Sequence, residues 1–314
     1  IFQGVTINME PSDVQMTVYI APASKIAGEL GGIPIEIYDD TMSGAYGDAP
    51  LSWGHVGMSP EQFMFDFDSI RVDGSKHALP WSRYQKVGDV WYDMAVEGHT
   101  LTAAPIEVKT GKLKLKFKGP KPKYVILKGR HQLSDCYFDL ASSKKGIDVP
   151  AGEYELFAGF IAEGKRPAVK KVVILPGENT PSWKVEEGNT TEITLGGPFG
   201  FDFETEDLGD KVKVLGETIV VTGIADERYE RPWNSRPYPL ASLRKVGSKK
   251  GGKPEKMKSN LDQSTLYSDW GLGYHPQDLD LAKKKGLDAG FEAQLTEKKN
   301  KLFGKIESEW KPGG

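Results

Sequence analysis

One cysteine among 314 residues, Cys136, excludes any internal disulfide. Its apolar setting, Cys136-Tyr137-Phe138, reads as a small buried core residue. Long apolar runs are missing as well: none approaches the roughly 18 residues of a spanning helix, and mean hydropathy is −0.44. No membrane span is expected. Charge of one sign is also lacking, since 41 basic and 44 acidic residues leave a net charge of −3. Such a balance gives no global attraction to nucleic acid or to an anionic membrane, so either would need a local patch. No nucleic-acid partner is expected.

Catalytic signatures are equally scarce. There is no G-x-S-x-G, and His55, His77, His99, His131 and His275 show no metal-ligand spacing. "GSKKGGKP", Gly247 to Pro254, has P-loop spacing up to Lys253, but proline stands where a magnesium-binding hydroxyl belongs. An S-x-x-K at Ser142–Lys145 and a K-T-G at Lys109–Gly111 occur in the reverse of the order serine penicillin-recognising enzymes need. Asp66 and Asp68 in "FMFDFDSI" share one strand face, about 7 Å apart, a separation a glycosidase can use. Alternation with Phe63, Phe65 and Phe67 explains them more simply, as the solvent side of a half-buried strand. No enzyme is expected.

What the chain does have is turns. Glycine (36) and proline (20) punctuate short runs of period-two alternation, the pattern of antiparallel β-sandwiches. Residues 1–106 read as a β domain containing "VQMTVYIA", "GIPIEIYD", "DVWYDMAVE" and "TLTAAPIEV", with hairpin signals at Asp73-Gly74, Gly88-Asp89 and Glu97-Gly98. Residues 107–197 form a second block opening with "KLKLKFKG", whose lysines alternate with Leu113, Leu115 and Phe117. Residues 198–258 read as an immunoglobulin-like β domain, and 259–314 as linker and helical tail. The polar stretch 244–260, "RKVGSKKGGKPEKMKSN", is too rich in lysine and glycine to bury and reads as a linker or an exposed loop. The expected fold is mostly β, with two or three antiparallel β-sandwich domains in tandem and a C-terminal helical tail.

That tail rests on a short helix "PQDLDLAKKK" and a longer one from Asp288 to Trp310, stopped by Pro312. Phe291, Leu295, Leu302, Ile306 and Trp310 recur at spacings of four and seven, which on a helix makes one apolar stripe suited to a partner.

Two binding features stand out. "YDDTMSGAYGD", Tyr38 to Asp48, sets Asp39, Thr41 and Ser43 at positions one, three and five of a calcium loop, with Gly44 at the turn glycine and Asp48 as a further carboxylate. Position twelve is Pro50 rather than glutamate. The turn reads first as a polar hairpin whose aspartates cap backbone amides, and second as a weak calcium site; no other cofactor is expected. Trp81 and Tyr84 in "PWSRY", with Arg228, Tyr229, Arg231, Trp233, Arg236 and Tyr238 in "ERYERPWNSRPYP", are residue types enriched at binding hot spots, and their rings could equally stack on sugars.

The run "VPAGEYELFAGFIAEG" followed by "VEEGNTTEITLG" resembles transthyretin-like and carboxypeptidase-regulatory-like sandwich modules, which implies a non-catalytic structural role. Taken whole, the order of an acidic glycine turn, "DSIRVDG", "VPAGEYEL" and "GIADERYERPW" resembles uncharacterised multidomain cell-envelope proteins of planctomycete bacteria. The resemblance implies a secreted, periplasmic or surface location, in keeping with an Ile1-Phe2-Gln3 start that suits a processed leader or a trimmed chain. The expectation is a structural or interaction protein with a protein partner or self-assembly. A carbohydrate-binding protein, aided by calcium, is the alternative and a hydrolase the third reading.

Overall fold

The structure is a computed structural model that describes residues 3–9, 14–20, 24–41, 43–47, 67–75, 77–165, 170–230, 239–261, 274–284, 287 and 290–313. The chain divides into two compact units. Ile1–Lys114, Ile126–Glu155 and Ser182–Thr191 make the first; Leu115–Val125, Leu156–Pro181 and Glu192–Gly314 make the second. The fold is mostly β, in several antiparallel sheets. Among the described residues the helical elements are single 3₁₀ turns, and no helix is long and apolar enough to cross a membrane.

In the first unit, Lys25–Leu30, Ile33–Tyr38, Ser69–Val72 and Leu79–Pro80 form a four-stranded sheet in chain order. Gly31 and Gly32 join the first two strands with φ of 60° and 78°. Side chains with a Cβ avoid that region, so this two-residue turn calls for glycine. Tyr84–Val87, Val90–Glu97 and Thr100–Ile106 form a three-stranded meander. One core serves both sheets: Ile35, Ile37 and Ile70 from one meet Val87 and Met94 from the other, with Trp81 from the connection between them. Period two fixes which residues enter. Along Ile33–Tyr38, Ile35 and Ile37 are buried while Glu36 between them faces outward. There Glu36 accepts from Lys25 Nζ at 2.6 Å, from the Tyr38 hydroxyl at 2.8 Å and from Arg71. Lys25 chiefly, with Tyr38, holds its carboxyl down to about 2.

Further along this unit, Tyr137–Asp139 pairs with Ile126–Lys128. Phe138 packs edge-on against Trp91 and Tyr154, and the Tyr154 hydroxyl donates to the Pro150 carbonyl at 2.6 Å. Cys136 is fully buried here, and burial pushes its thiol up to about 12, so it stays protonated at neutral pH.

In the second unit, the last part of Gly152–Glu163 is followed across one antiparallel sheet by Lys170–Leu175, Arg228–Glu230, Val220–Thr222 and Gly200–Asp202. Phe199, Tyr229 and Phe303 pack with ring centroids 4.5 to 5.2 Å apart. Within the same core lies a carboxylate, Glu227, fully buried; it accepts from the amides of Gly196 (2.5 Å) and Ala225 (2.9 Å) and from the Tyr229 hydroxyl (2.7 Å).

The expected C-terminal helices are strands. Leu279–Ala282 pairs with Lys211–Val214, and Phe291–Asn300 lies between Leu240–Lys245 and Gly304–Glu307 with Lys311–Pro312 on the same ladder. The reason is arithmetic. A spacing of four is a multiple of two, so Phe291 and Leu295 fall on one face of a strand as readily as on one face of a helix, while Trp310 lies between the strands Gly304–Glu307 and Lys311–Pro312. The odd step of seven from Leu295 to Leu302 is absorbed by the turn at residues 301–303. Phe291, Leu295 and Ile306 are buried in this unit's own sheet, while Leu302 and Trp310 are half-buried. The partner stripe is therefore core. Likewise 244–260 is no linker to a helix: it is the hairpin between Leu240–Lys245 and Glu255–Lys256 with its flank.

Candidate functional site

The acidic turn and the "PWSRY" loop meet in the first unit. Asp39 Oδ1 accepts from the Ser43 amide at 3.0 Å and from Thr41 Oγ1 at 3.2 Å, and Oδ2 accepts from the Gly44 amide at 3.0 Å. Both oxygens are thus engaged in closing the turn. Asp40 accepts from the Ser69 hydroxyl, and burial pushes its carboxyl up, with Asp39 adding to the rise. Asp68, which alternation placed on the solvent side, is fully buried and accepts from the Thr41 amide and hydroxyl at 3.3 Å. Its neighbour Phe67 is buried too, since the chain here precedes the strand Ser69–Val72 and strict alternation does not yet apply. Asp48 and Asp66 lie outside the described residues. Among the described residues no group of three or more His, Cys, Asp or Glu side chains is arranged to hold a metal ion.

Removing Asp39, itself buried, leaves the backbone donors of Ser43 and Gly44, on the exposed side of the turn, without their side-chain acceptor. Asp39→Ala is expected to cost about 1 kcal/mol, by the same amount in calcium and in chelator. A calcium-dependent melting temperature in the parent chain, abolished by this substitution, would instead establish a cation site.

The turn runs on to Gly47, where a Cβ would lie 3.5 Å from the Trp81 indole, and Tyr46 sits edge-on to His99. Beside it opens a groove of about 670 Å³, lined among others by Gly47, Trp81, Arg83, Asp93, Thr102 and Asp135. Arg83 donates through Nε and Nη2 to both oxygens of Asp93, at 2.7 and 2.8 Å, the planar fork that suits a carboxylate. Its guanidinium also lies 5.2 Å from the centroid of the Tyr84 ring. The Arg83 guanidinium holds the Asp93 carboxyl below its ordinary range. Asp135 accepts the Arg83 amide through its backbone carbonyl at 3.1 Å. The groove therefore offers two carboxylates and one guanidinium above small side chains.

Of the residues singled out in the sequence, Trp81 is 6% exposed and belongs to the core, and Tyr84 is half-buried. Tyr229 is core as well, while Arg228 is exposed, 3.9 Å from Glu230. Arg231, Trp233, Arg236 and Tyr238 lie outside the described residues. Arg83, Asp93 and Asp135 were not singled out. A signal for two of them was present: a Gly88-Asp89 hairpin turn pairs Val87 with Val90, and counting back puts Tyr84 opposite Asp93, next to Arg83.

No protein-family model matches the chain, and no curated protein matches it. A solved leucine-rich repeat protein from Bacteroides thetaiotaomicron VPI-5482 is 13% identical over 60% of this chain, at a TM-score of 0.20. This chain spans 22% of that protein's length, a likeness too slight to carry a fold assignment.

Proposed function

We propose that this chain is a non-enzymatic structural or interaction protein of a bacterial cell envelope or extracellular assembly, acting by protein–protein contact through its β-sheet surfaces. The observation that supports this over a sugar-binding role is where the "PWSRY" rings go. The Trp81 indole is spent in the core, and the Tyr84 ring is flanked by the Arg83 guanidinium, itself clamped by Asp93. Neither ring is left as a flat, open platform for a sugar. The envelope location rests on the resemblance carried by the order of sequence motifs.

The particle state of the purified chain tests this reading. A ring, filament or discrete oligomer in sedimentation velocity and electron microscopy is expected, with no turnover of ester, peptide or glycoside substrates. A strict monomer at all concentrations, or a turnover lost on Asp93→Ala, would overturn it. The groove favours one second reading. The Arg83–Asp93 pair and Asp135 line it, and the carboxylate lone pairs with the guanidinium N–H groups outside the fork suit hydroxyls of a polysaccharide. Glycan binding lost in both Arg83→Ala and Asp135→Ala would favour it over the first.

A further inference from the structure

The near-balanced charge of the chain conceals more than one lysine-rich stretch; in residues 109–123, Lys109, Lys112 and Lys116 lie against Glu187, Asp148 and Glu192. Between residues 245 and 258 stand six lysines, Lys245, Lys249, Lys250, Lys253, Lys256 and Lys258, against one acid, Glu255. All six are exposed. Five lysines elsewhere in the second unit each have a carboxylate neighbour: Lys211 sits on Asp280, Lys213 on Glu206, Lys283 on Asp207, Lys305 on Glu307 and Lys311 on Asp202. Among the described residues Lys245, Lys249, Lys250, Lys253 and Lys258 have no such ion pair. Their field is left open to solvent.

The loop that carries them is built rather than slack. The Ser248 amide donates to the Lys245 carbonyl at 2.9 Å and the Gly252 amide to the Leu243 carbonyl at 2.7 Å. Beneath it, Trp310 is held between the Arg244 guanidinium, 4.3 Å from its ring centroid, and Gly251, where a Cβ would come within 2.7 Å of the indole. Only glycine lets the backbone lie so close. At the turn, among the lysines, stands Val246, 56% exposed and the most exposed large apolar side chain among the described residues.

We propose that this hairpin loop is an electrostatic docking surface for an anionic lipid bilayer. Lysines in a juxtamembrane position are drawn to anionic headgroups as point charges without a fixed partner geometry, and an apolar side chain at the tip gains by entering the interface. The loop carries no aromatic ring to stack on bases and no arginine fork for a defined phosphate, which argues against a nucleic acid. This is a local patch of the kind a chain of near-neutral charge needs in order to bind a polyanionic surface.

The test is flotation of the full chain with vesicles of phosphatidylcholine alone and with added phosphatidylglycerol. Binding to the phosphatidylglycerol vesicles only, weakened by salt, is expected. Each lysine removed should weaken it about fivefold, so Lys249→Gln, Lys250→Gln and Lys253→Gln together should cost on the order of a hundredfold with an unchanged near-UV spectrum. Val246→Asp should weaken it further. No binding to phosphatidylglycerol vesicles, or equal binding by the triple variant, would overturn the proposal. So would loop-dependent binding to soluble dextran sulfate or duplex DNA by a chain that ignores the vesicles.

Discussion

Deleting residues 291–313 is expected to leave the second unit unable to fold. Phe291–Asn300 supplies the ladder for Leu240–Lys245 on one side and for Gly304–Glu307 and Lys311–Pro312 on the other, so its loss removes the middle of the sheet rather than an edge. The side chains lost include Phe291, Ala293, Leu295, Phe303 and Ile306, all buried. Each large one contributes roughly 1.5–3 kcal/mol by burial, so the sum is comparable to the whole stability of a domain. A gentler probe is Leu295→Ala, a fully buried site where truncation is expected to cost about 3 kcal/mol. Urea unfolding and limited proteolysis read both. A truncated chain that keeps a cooperative transition for residues 192–290 would refute the strand assignment and restore a detachable tail.

Glu227 should be the second most sensitive position. Its carboxylate satisfies the amides of Gly196 and Ala225 and the Tyr229 hydroxyl, beside the packed rings of Phe199 and Phe303. Glu227→Ala leaves three buried donors unsatisfied and a void beside them, for an expected loss of about 4 kcal/mol. Glu227→Gln keeps the shape but turns an amide donor toward backbone donors, for about 2 kcal/mol. The pH dependence carries a sign of its own. Burial raises this carboxyl above its ordinary 4.5 despite the donors around it, so the native state holds the proton more tightly than the unfolded chain. Its contribution is then fully present below pH 4.5 and is lost as pH rises through the native value. Glutamine has no proton to lose, so the variant should be less stable yet flatter with pH above 4.5. A Glu227→Gln chain as stable as the parent would show that the carboxylate is not held as described.

The strands were legible because alternation and glycine turns are local signals. "DVWYDMAVE" and "TLTAAPIEV" became Val90–Glu97 and Thr100–Ile106 with the turn at Gly98 where the sequence puts it. The C-terminal strands were misread because their apolar residues stand four apart, a step both periods allow, and charged residues between them suggested a helix surface. Buried acids were the other blind spot. Asp68 and Glu227 look like solvent-facing carboxylates in sequence, and only the long-range arrival of Thr41, or of Gly196, gives them a reason to be inside. The Arg83–Asp93 pair lay between: visible through hairpin register, invisible from composition.

The interleaving of the two units sets the order in which a nascent chain can finish them. The first unit needs residues 182–191, which leave the ribosome only after 156–181 of the second. At roughly 5–20 residues per second, the wait from residue 114 to residue 191 is on the order of 4–15 s, long compared with collapse of a chain this size. During that interval the sheets of residues 25–106 are complete while their remaining partners are not yet synthesised. A chaperone that engages this chain should therefore be found on ribosome-bound intermediates whose last residue falls between about 115 and 190, and a stop anywhere in that span should yield an aggregating product rather than a free-standing domain.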